Sequence, residues 1–299
     1  MKTSSISSRD TFLALAVMIL WGFNFPILKI GVQNFPPLLF SALRFAIVFL
    51  LTIPFCKLEI RVIKSGFRAS ILLGLIHFML FSWGMRSGSA STGAMLYQLN
   101  VPFGVLLSVL FLSESVSGVQ RFGVGIAFLG ALILLWKGQH DFDIRPSLLM
   151  IGAAAVSAVG QIEVKKNAKD LPPLVFNNAL AMFSAVELLL ASILFEDWHT
   201  LEIIHTASLT WIALLYVAIC SGVLGYGIWW SLLQRNRVSV VMPFNLLTCV
   251  FSTIGSVLFL KESLGISTIL GGLLIIIGVA GVLGCSPRRI LRAFDLRNS

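Results

Sequence analysis

One seven-residue run occurs twice in this chain. Val109-Leu110-Phe111-Leu112-Ser113-Glu114-Ser115 returns 148 residues later as Val257-Leu258-Phe259-Leu260-Lys261-Glu262-Ser263, identical at six of seven positions. The glycines that follow keep the same offset, Gly123 with Gly271 and Gly130 with Gly278. Because the offset is close to half of the 299 residues, the chain reads as two copies of one unit. Neither copy suits water. Hydrophobic residues make up 57% of the chain and charged residues 12%, with a mean hydropathy of +0.94. Soluble domains carry roughly 25% charged residues, so the missing charge implies a lipid surround. An internally duplicated, multi-pass membrane protein points to a transporter.

The remaining composition narrows the field. Cys56, Cys220, Cys249 and Cys285 are scattered through apolar stretches without CxxC spacing or histidine-rich neighbours. They read as small apolar side chains, not as a zinc site or a disulfide framework, and no metal or cofactor is expected. Met1 to Asp10 is a polar, basic start, and the apolar run from Thr11 to Val32 is too long for a signal peptide and lacks a small-residue cleavage site. It reads as an uncleaved first span.

About 20 apolar residues cross a bilayer at 1.5 Å per residue. On that measure the sequence predicts an all-α membrane protein of ten spans, at about 11–32, 36–55, 69–86, 91–112, 119–136, 146–164, 174–195, 209–234, 238–260 and 264–285. Charges and prolines cluster in the breaks Lys57 to Arg68, His140 to Arg145, Lys165 to Pro173 and Glu196 to Glu202. With the N-terminus in the cytoplasm, sixteen of the 22 lysines and arginines fall on the cytoplasmic side. Five fall outside (Lys29, Arg86, Lys137, Arg145 and Lys261), and Arg44 lies within a span. The net charge of +9 is thus a topology signal under the positive-inside rule, and nucleic acid is not the expected partner. Five spans per copy is an odd number, so the second copy enters the membrane from the opposite side. Residues 12–136 and 147–284 form the two inverted repeats, and 286–299 a basic cytoplasmic tail. Inverted repeats place a substrate site at their interface and support alternating access.

Some residues do not belong in lipid. Pro26, Pro102 and Pro243 free the carbonyls of Gly22, Gln98 and Ser239, and broken backbone at depth needs protein or a wet cavity to satisfy it. Trp21, Phe23 and Asn24 flank the first break, Tyr97, Gln98 and Asn100 the second, and Met242, Phe244 and Asn245 the third. Amides beside aromatics suit a cavity for a small zwitterion; equally, they serve as bridges between kinked helices. Arg44, near the middle of span two, needs an interior partner or a wet cavity. Glu187, in the counterpart span seven, is the acid that lies deep in a span, and its pairing with Arg44 is one option. His77, mid-span three, is either a proton carrier or an interhelical hydrogen bonder. These three are the coupling candidates. Gln161 and Glu163 are placed to line a cytoplasmic mouth, unless Glu163 neutralises Lys165 or Lys166. The paired glycines provide close helix approach. Glu114 and Glu262 are read as structural acids favouring the dipole of the helix that follows each.

Trp21-Gly22-Phe23-Asn24-Phe25, the Leu112-Ser113-Glu114 and Leu260-Lys261-Glu262 boundaries and the two glycine-spaced helices resemble the EamA family of the drug/metabolite transporter superfamily, over nearly the whole chain. Gly225-Tyr226-Gly227-Ile228-Trp229, Arg235, Gln98 and Gly160-Gln161 ahead of Lys165-Lys166 are most similar to the branch exporting cysteine and O-acetylserine. The resemblance implies a ten-helix, proton- or gradient-driven exporter of amino acids or related metabolites in the bacterial inner membrane, monomeric or homodimeric, with spans one, three, four, six, eight and nine around its cavity. The substrate-site residues it implies, with those read from the breaks, are Trp21, Asn24, Tyr97, Gln98, Asn100, Gln161, Tyr226, Trp229 and Asn245. One departure stands out: the family's proline in span nine, matching Pro102, is replaced by the stretch Thr248-Cys249-Val250.

Other functions fit less well. An organic-anion or sugar-phosphate exchanger of the same superfamily needs several interior basic residues, and Arg44 is the one provided. A cationic-drug exporter calls for an acid in span one, where none lies between Thr11 and Val32. An intramembrane enzyme would have to use Cys220 or Ser221 with His77, without an oxyanion or metal motif.

Overall fold

A computed structural model describes residues 7–57, 59–112, 116–135, 143–167, 170–197, 208–236 and 241–283. Glu114, Ser239, Cys285 and the basic tail lie outside these. The described residues form ten apolar helical segments: α1 (Ser8–Gln33), α2 (Pro37–Phe55), α3 (Ile60–Ser87), α4 (Ala90–Phe111), α5 (Gly118–Leu135), α6 (Arg145–Val164), α7 (Pro173–Phe195), α8 (Ser208–Trp229), α9 (Phe244–Leu260) and α10 (Ile266–Val282). The first eight are long and apolar enough to cross a membrane, and α9 and α10 are shorter. Each expected span is matched by a helix. One boundary is corrected: α3 begins at Ile60, inside the segment expected to be a loop up to Arg68. Its first turns bury Val62, Ser65, Gly66 and Ala69 on one face and leave Arg61, Lys64 and Arg68 on the other. Counting apolar residues misses such an amphipathic extension, because the period and not the average carries the signal.

The helix pairings have twofold character. α2 packs on its counterpart α7, and α5 on its counterpart α10. α1 packs on α9 as α6 packs on α4, and α3 on α6 as α8 on α1. Exchanging the two halves reproduces every one of these pairs. The α5–α10 seam shows the sense of the exchange. A Cβ added to Gly123 would stand 2.6 Å from the carbonyl oxygen of Gly278, and one on Gly130 would stand 2.6 Å from that of Gly271. The earlier glycine of one copy meets the later glycine of the other, so the helices run antiparallel and the repeats are inverted. Backbone against backbone is the closest approach two helices can make, and only small residues permit it.

α3 and α8 carry another shared feature. Each contains a π-helical segment, Ser70–Ile76 and Tyr216–Gly225. Such segments leave carbonyls in search of donors. At positions related by the duplication, His77 Nδ1 lies 3.3 Å from the Leu73 carbonyl, and the Trp21 indole donates to the Ser221 carbonyl at 3.3 Å.

Helix ends in this fold are satisfied by distant acids. Lys261 closes α9 in the left-handed region (φ 53°), and the Glu262 N–H bonds back to the Ser256 carbonyl at 3.2 Å. That turn directs Glu262 to the first turn of α4, not to α10 as expected. Its carboxylate accepts from Ala90 N (2.7 Å), Ser91 N (3.2 Å) and the hydroxyls of Ser89 and Ser91 (2.7 Å each). Lys29 stands 3.5 Å from the same carboxylate and also donates to the Gly88 carbonyl. Glu196, ending α7, does the same for α2, accepting from Leu38 N (2.8 Å) and Leu39 N (3.1 Å). At the other membrane end, Asp10 accepts from Asn236 at 2.8 Å and faces Arg235 at 3.3 Å. Glu163 bonds Asn167 at 2.7 Å and lies 4.0 Å from Arg68 of α3, so it ties α6 to a neighbouring helix.

Two predictions follow from these contacts. Gly278→Val should destabilise the protein by about 2–3 kcal/mol in detergent unfolding, since backbone cannot yield to an added side chain. Gly104→Ala, with nothing within 4 Å of the new methyl, should be close to neutral. The second concerns Glu262. Burial acts to raise its pKa, and the bonds from Ser89, Ser91 and the two backbone N–H groups outweigh it, holding the carboxyl below its usual range. Stability from a depressed carboxyl is complete above the ordinary pKa and is lost as pH falls through the folded value. Glu262→Gln should therefore cost about 1.5–3 kcal/mol at pH 7, and its gap to wild type should close as unfolding is measured below about pH 4.

Candidate functional site

The breaks in α4 and α9 meet across the repeat interface. Pro102 removes the donor for the Gln98 carbonyl, which instead accepts from Val101 N at 3.1 Å in a tight turn. The counterpart stretch Met242–Leu246 is a 3₁₀ turn leading into α9. Gln98, buried at this break, donates its side-chain amide to the Asn245 carbonyl at 3.2 Å. Beyond Leu247 the helix is regular, as the replacement of the second proline by Thr248-Cys249-Val250 allows, and the Cys249 thiol donates to the Ala94 carbonyl at 3.4 Å.

Beside this junction the Tyr97 hydroxyl donates to Ser157 Oγ at 3.1 Å, and Gln161 donates to the same Ser157 oxygen at 3.3 Å. The Asn100 side chain lies close to the Tyr97 hydroxyl. The Tyr97 ring packs with Phe81 (5.4 Å between centroids), His77 (5.6 Å) and Phe25 (6.2 Å). Along α1 from Phe25, Trp21 stands between Tyr226 (5.1 Å) and Trp229 (5.3 Å). Tyr226 in turn lines a cavity of about 170 Å³ between α7 and α8, with Asn177, Val223 and Ser231 among its other walls. Six of the nine expected substrate-site residues thus fall into two joined clusters: Tyr97, Asn100 and Gln161, and Trp21, Tyr226 and Trp229. Gln98 and Asn245 make the junction between the repeats. Asn24 is buried in α1 with its side-chain oxygen lacking a hydrogen-bond partner.

The coupling candidates separate. His77 is buried among Phe78, Phe81 and Tyr97, and its Nε2 has no partner. Glu187 accepts from Ser70 at 2.7 Å through one oxygen, and its other oxygen is buried without a bond. Arg44 is 4% exposed and does not pair with Glu187. Its guanidinium carbon lies 4.9 Å from the Phe78 ring centre and 5.6 Å from that of Phe45.

Sequence reading missed two polar contributors. Ser157 lies one turn before Gln161; a buried phenol's need of a partner says that some polar group must stand beside Tyr97, but not which one. Asn178, fully buried in α7, donates to the Phe49 carbonyl at 3.0 Å and to Thr52 at 2.8 Å, joining α7 to α2. Nothing in its local sequence distinguishes it.

Comparison with known proteins agrees with this architecture. The EamA-like transporter family matches residues 10–136 and 145–284. A protein of Salmonella typhimurium described as a probable amino-acid metabolite efflux pump is 33% identical, over 96% of this chain and 99% of its own length. An Escherichia coli protein of the same description is 30% identical, over 92% and 94%. A solved crystal structure at 19% identity superposes with a TM-score of 0.64, covering 98% of this chain and 99% of its own, which supports the fold. Two family matches in tandem, one on each inverted repeat, leave one conclusion: this chain belongs to the EamA-like transporter family and is a multi-pass membrane transporter, not an enzyme.

Proposed function

We propose that this transporter exports small amino-acid-like metabolites by alternating access between its two repeats. The observation that carries the reading is the Gln98–Asn245 bond, which joins the broken stretches of α4 and α9 across the repeat interface beside the Tyr97–Ser157 pair. Two inverted halves meeting at broken helices, with amides and hydroxyls around the break, are the arrangement alternating access uses. The efflux description of the Salmonella and Escherichia relatives supports the same direction and solute class. Loop charge supports cytoplasmic N- and C-termini in the inner membrane. In that orientation the Glu262 and Glu196 caps lie at the outer end. Pro173, at the inner end of α7 in this orientation, is among the residues that line the cavity beside Tyr226. The substrate residues are those of the two clusters, with Asn24. The coupling group is Glu187 or His77, each of which keeps one buried polar atom without a hydrogen-bond partner. Glu187 is the stronger candidate because an acid in an apolar span is the harder of the two to explain by packing alone.

Purified protein in liposomes, given a labelled panel of amino acids and acylated amino acids with and without a pH gradient, tests the reading. Movement of one or more panel members is expected, and movement of sugar phosphates alone would replace it with the exchanger reading. Gln98→Ala should leave membrane abundance near wild type while lowering export about tenfold; abundance falling in step with activity would make Gln98 a structural bridge. Glu187→Gln or His77→Gln should abolish gradient-driven transport while sparing solute exchange. Wild-type rates in both variants would point to a facilitator without proton coupling. Reporter fusions should place the Lys165–Pro173 loop inside and the Glu196–Glu202 loop outside.

A further inference from the structure

Among the described residues, Arg44 is a cation without an anion. Of the charged residues in the sequence, it alone lies in the apolar stretch Pro37–Phe55, and it is buried there. Its Nε is buried without a hydrogen-bond partner. Among the described residues, no carboxylate lies within 4.0 Å of it. Glu187, the acid that could have neutralised it, is bonded to Ser70 on α3. What the guanidinium does have is aromatic surface, with Phe78 at 4.9 Å and Phe45 at 5.6 Å. A ring partly compensates the charge but accepts no hydrogen bonds in the guanidinium plane, where five N–H donors point outward in a fixed fork. Burial of such a group with its Nε unpartnered is unfavourable, and a ligand oxygen within reach of the fork would relieve it.

The surroundings specify which acceptor fits. The hydroxyls of Tyr97 and Tyr226, one from each repeat, lie within electrostatic reach of Arg44, and Tyr226 also walls the cavity between α7 and α8. His77 packs on the same Phe78 ring, at 4.7 Å. Its Nδ1 faces the Leu73 carbonyl, which can only accept. The neutral ring therefore carries its proton on Nδ1 and leaves Nε2 a bare acceptor. A fork of donors and a lone-pair acceptor thus flank one phenyl ring. No second lysine or arginine is buried among the described residues, so the site offers one positive charge. That matches a monovalent carboxylate, whose two oxygens fit the fork side by side, better than a divalent phosphate.

We propose that Arg44 is the receptor for the substrate carboxylate, and that this residue selects amino acids over their decarboxylated amines. The proposal deepens the export reading and rests on it for the class of solute. The test is thermal unfolding of the full chain in detergent, because a ligand that binds the folded state raises its stability by RT ln(1 + c/Kd), where c is the free ligand concentration. The probes are L-cysteine and O-acetyl-L-serine, their carboxyl-free analogues cysteamine and O-acetylethanolamine, propionate, and inorganic phosphate. The carboxylate-bearing amino acids should bind wild type at least tenfold more tightly than the matched amines. Arg44→Gln should erase that preference, and Arg44→Lys should keep part of it, since an ammonium holds the charge but loses the fork. Stabilisation by propionate alone, lost in Arg44→Gln, would uphold the carboxylate receptor and overturn the amino-acid reading. Equal binding of amines and amino acids by wild type would overturn the proposal, as would amino-acid binding within twofold of wild type in folded Arg44→Gln. Absence of stabilisation by every carboxylate probe would do the same. If Arg44→Gln does not fold, the comparison of matched probes on wild type decides.

Discussion

Backbone amides and carbonyls in lipid have no water to turn to, and every interruption of a helix must find its partners inside the chain. Much of this structure is an answer to that constraint. Glu262 caps α4 from 171–173 residues away, and Glu196 caps α2 from 157–158 residues away. Gln98 supplies a donor to the broken start of α9. Trp21 takes up a carbonyl set loose by the π-helical stretch of α8. Each solution joins elements far apart in sequence, so the groups that repair the backbone also hold the two repeats in register.

The same constraint explains what could be read from the sequence. Helix number, the duplication and the inverted sense were legible because lipid enforces a minimum length of apolar residues and charge marks the connections. The paired glycines were legible because both copies retain them at one offset. The partner of Glu262 was not. The acid precedes α10 closely, and only the left-handed turn at Lys261 sends it to another helix. The basic start of α3 escaped for a related reason: its charges share one face, and composition averages over faces. At the site, Tyr97 and Gln98 stood out as an aromatic and an amide beside a break, and Tyr226 only through the resemblance of the Gly225–Trp229 run. Ser157 and Asn178 did not, since a single serine or asparagine in an apolar helix gives no sign of which neighbour it will meet.

Charge is distributed in this molecule with a clear division. Acids and bases at the helix ends find each other, as in Lys29 with Glu262 and Asp10 with Arg235. In the interior, Arg44 and Glu187 sit in helices that pack on each other and still take separate partners, an aromatic ring for one and a serine for the other. A closed ion pair would have cancelled both groups; kept apart, the arginine and the carboxyl are each held by neighbours that carry no charge.

The glycine seam has a meaning for the history of the chain. When a gene doubles, its two halves ordinarily become free to diverge, each relieved of the other's obligations. Here the halves are neighbours along α5 and α10, and the residue that limits how near Gly123 can come is Gly278, whose ancestor was the same residue as Gly130. A change at one of the four sites is judged by a surface built from another. The duplication therefore ties its mirror positions to one another, and the sequence echo falls where the protein must fit itself before it can fit anything else.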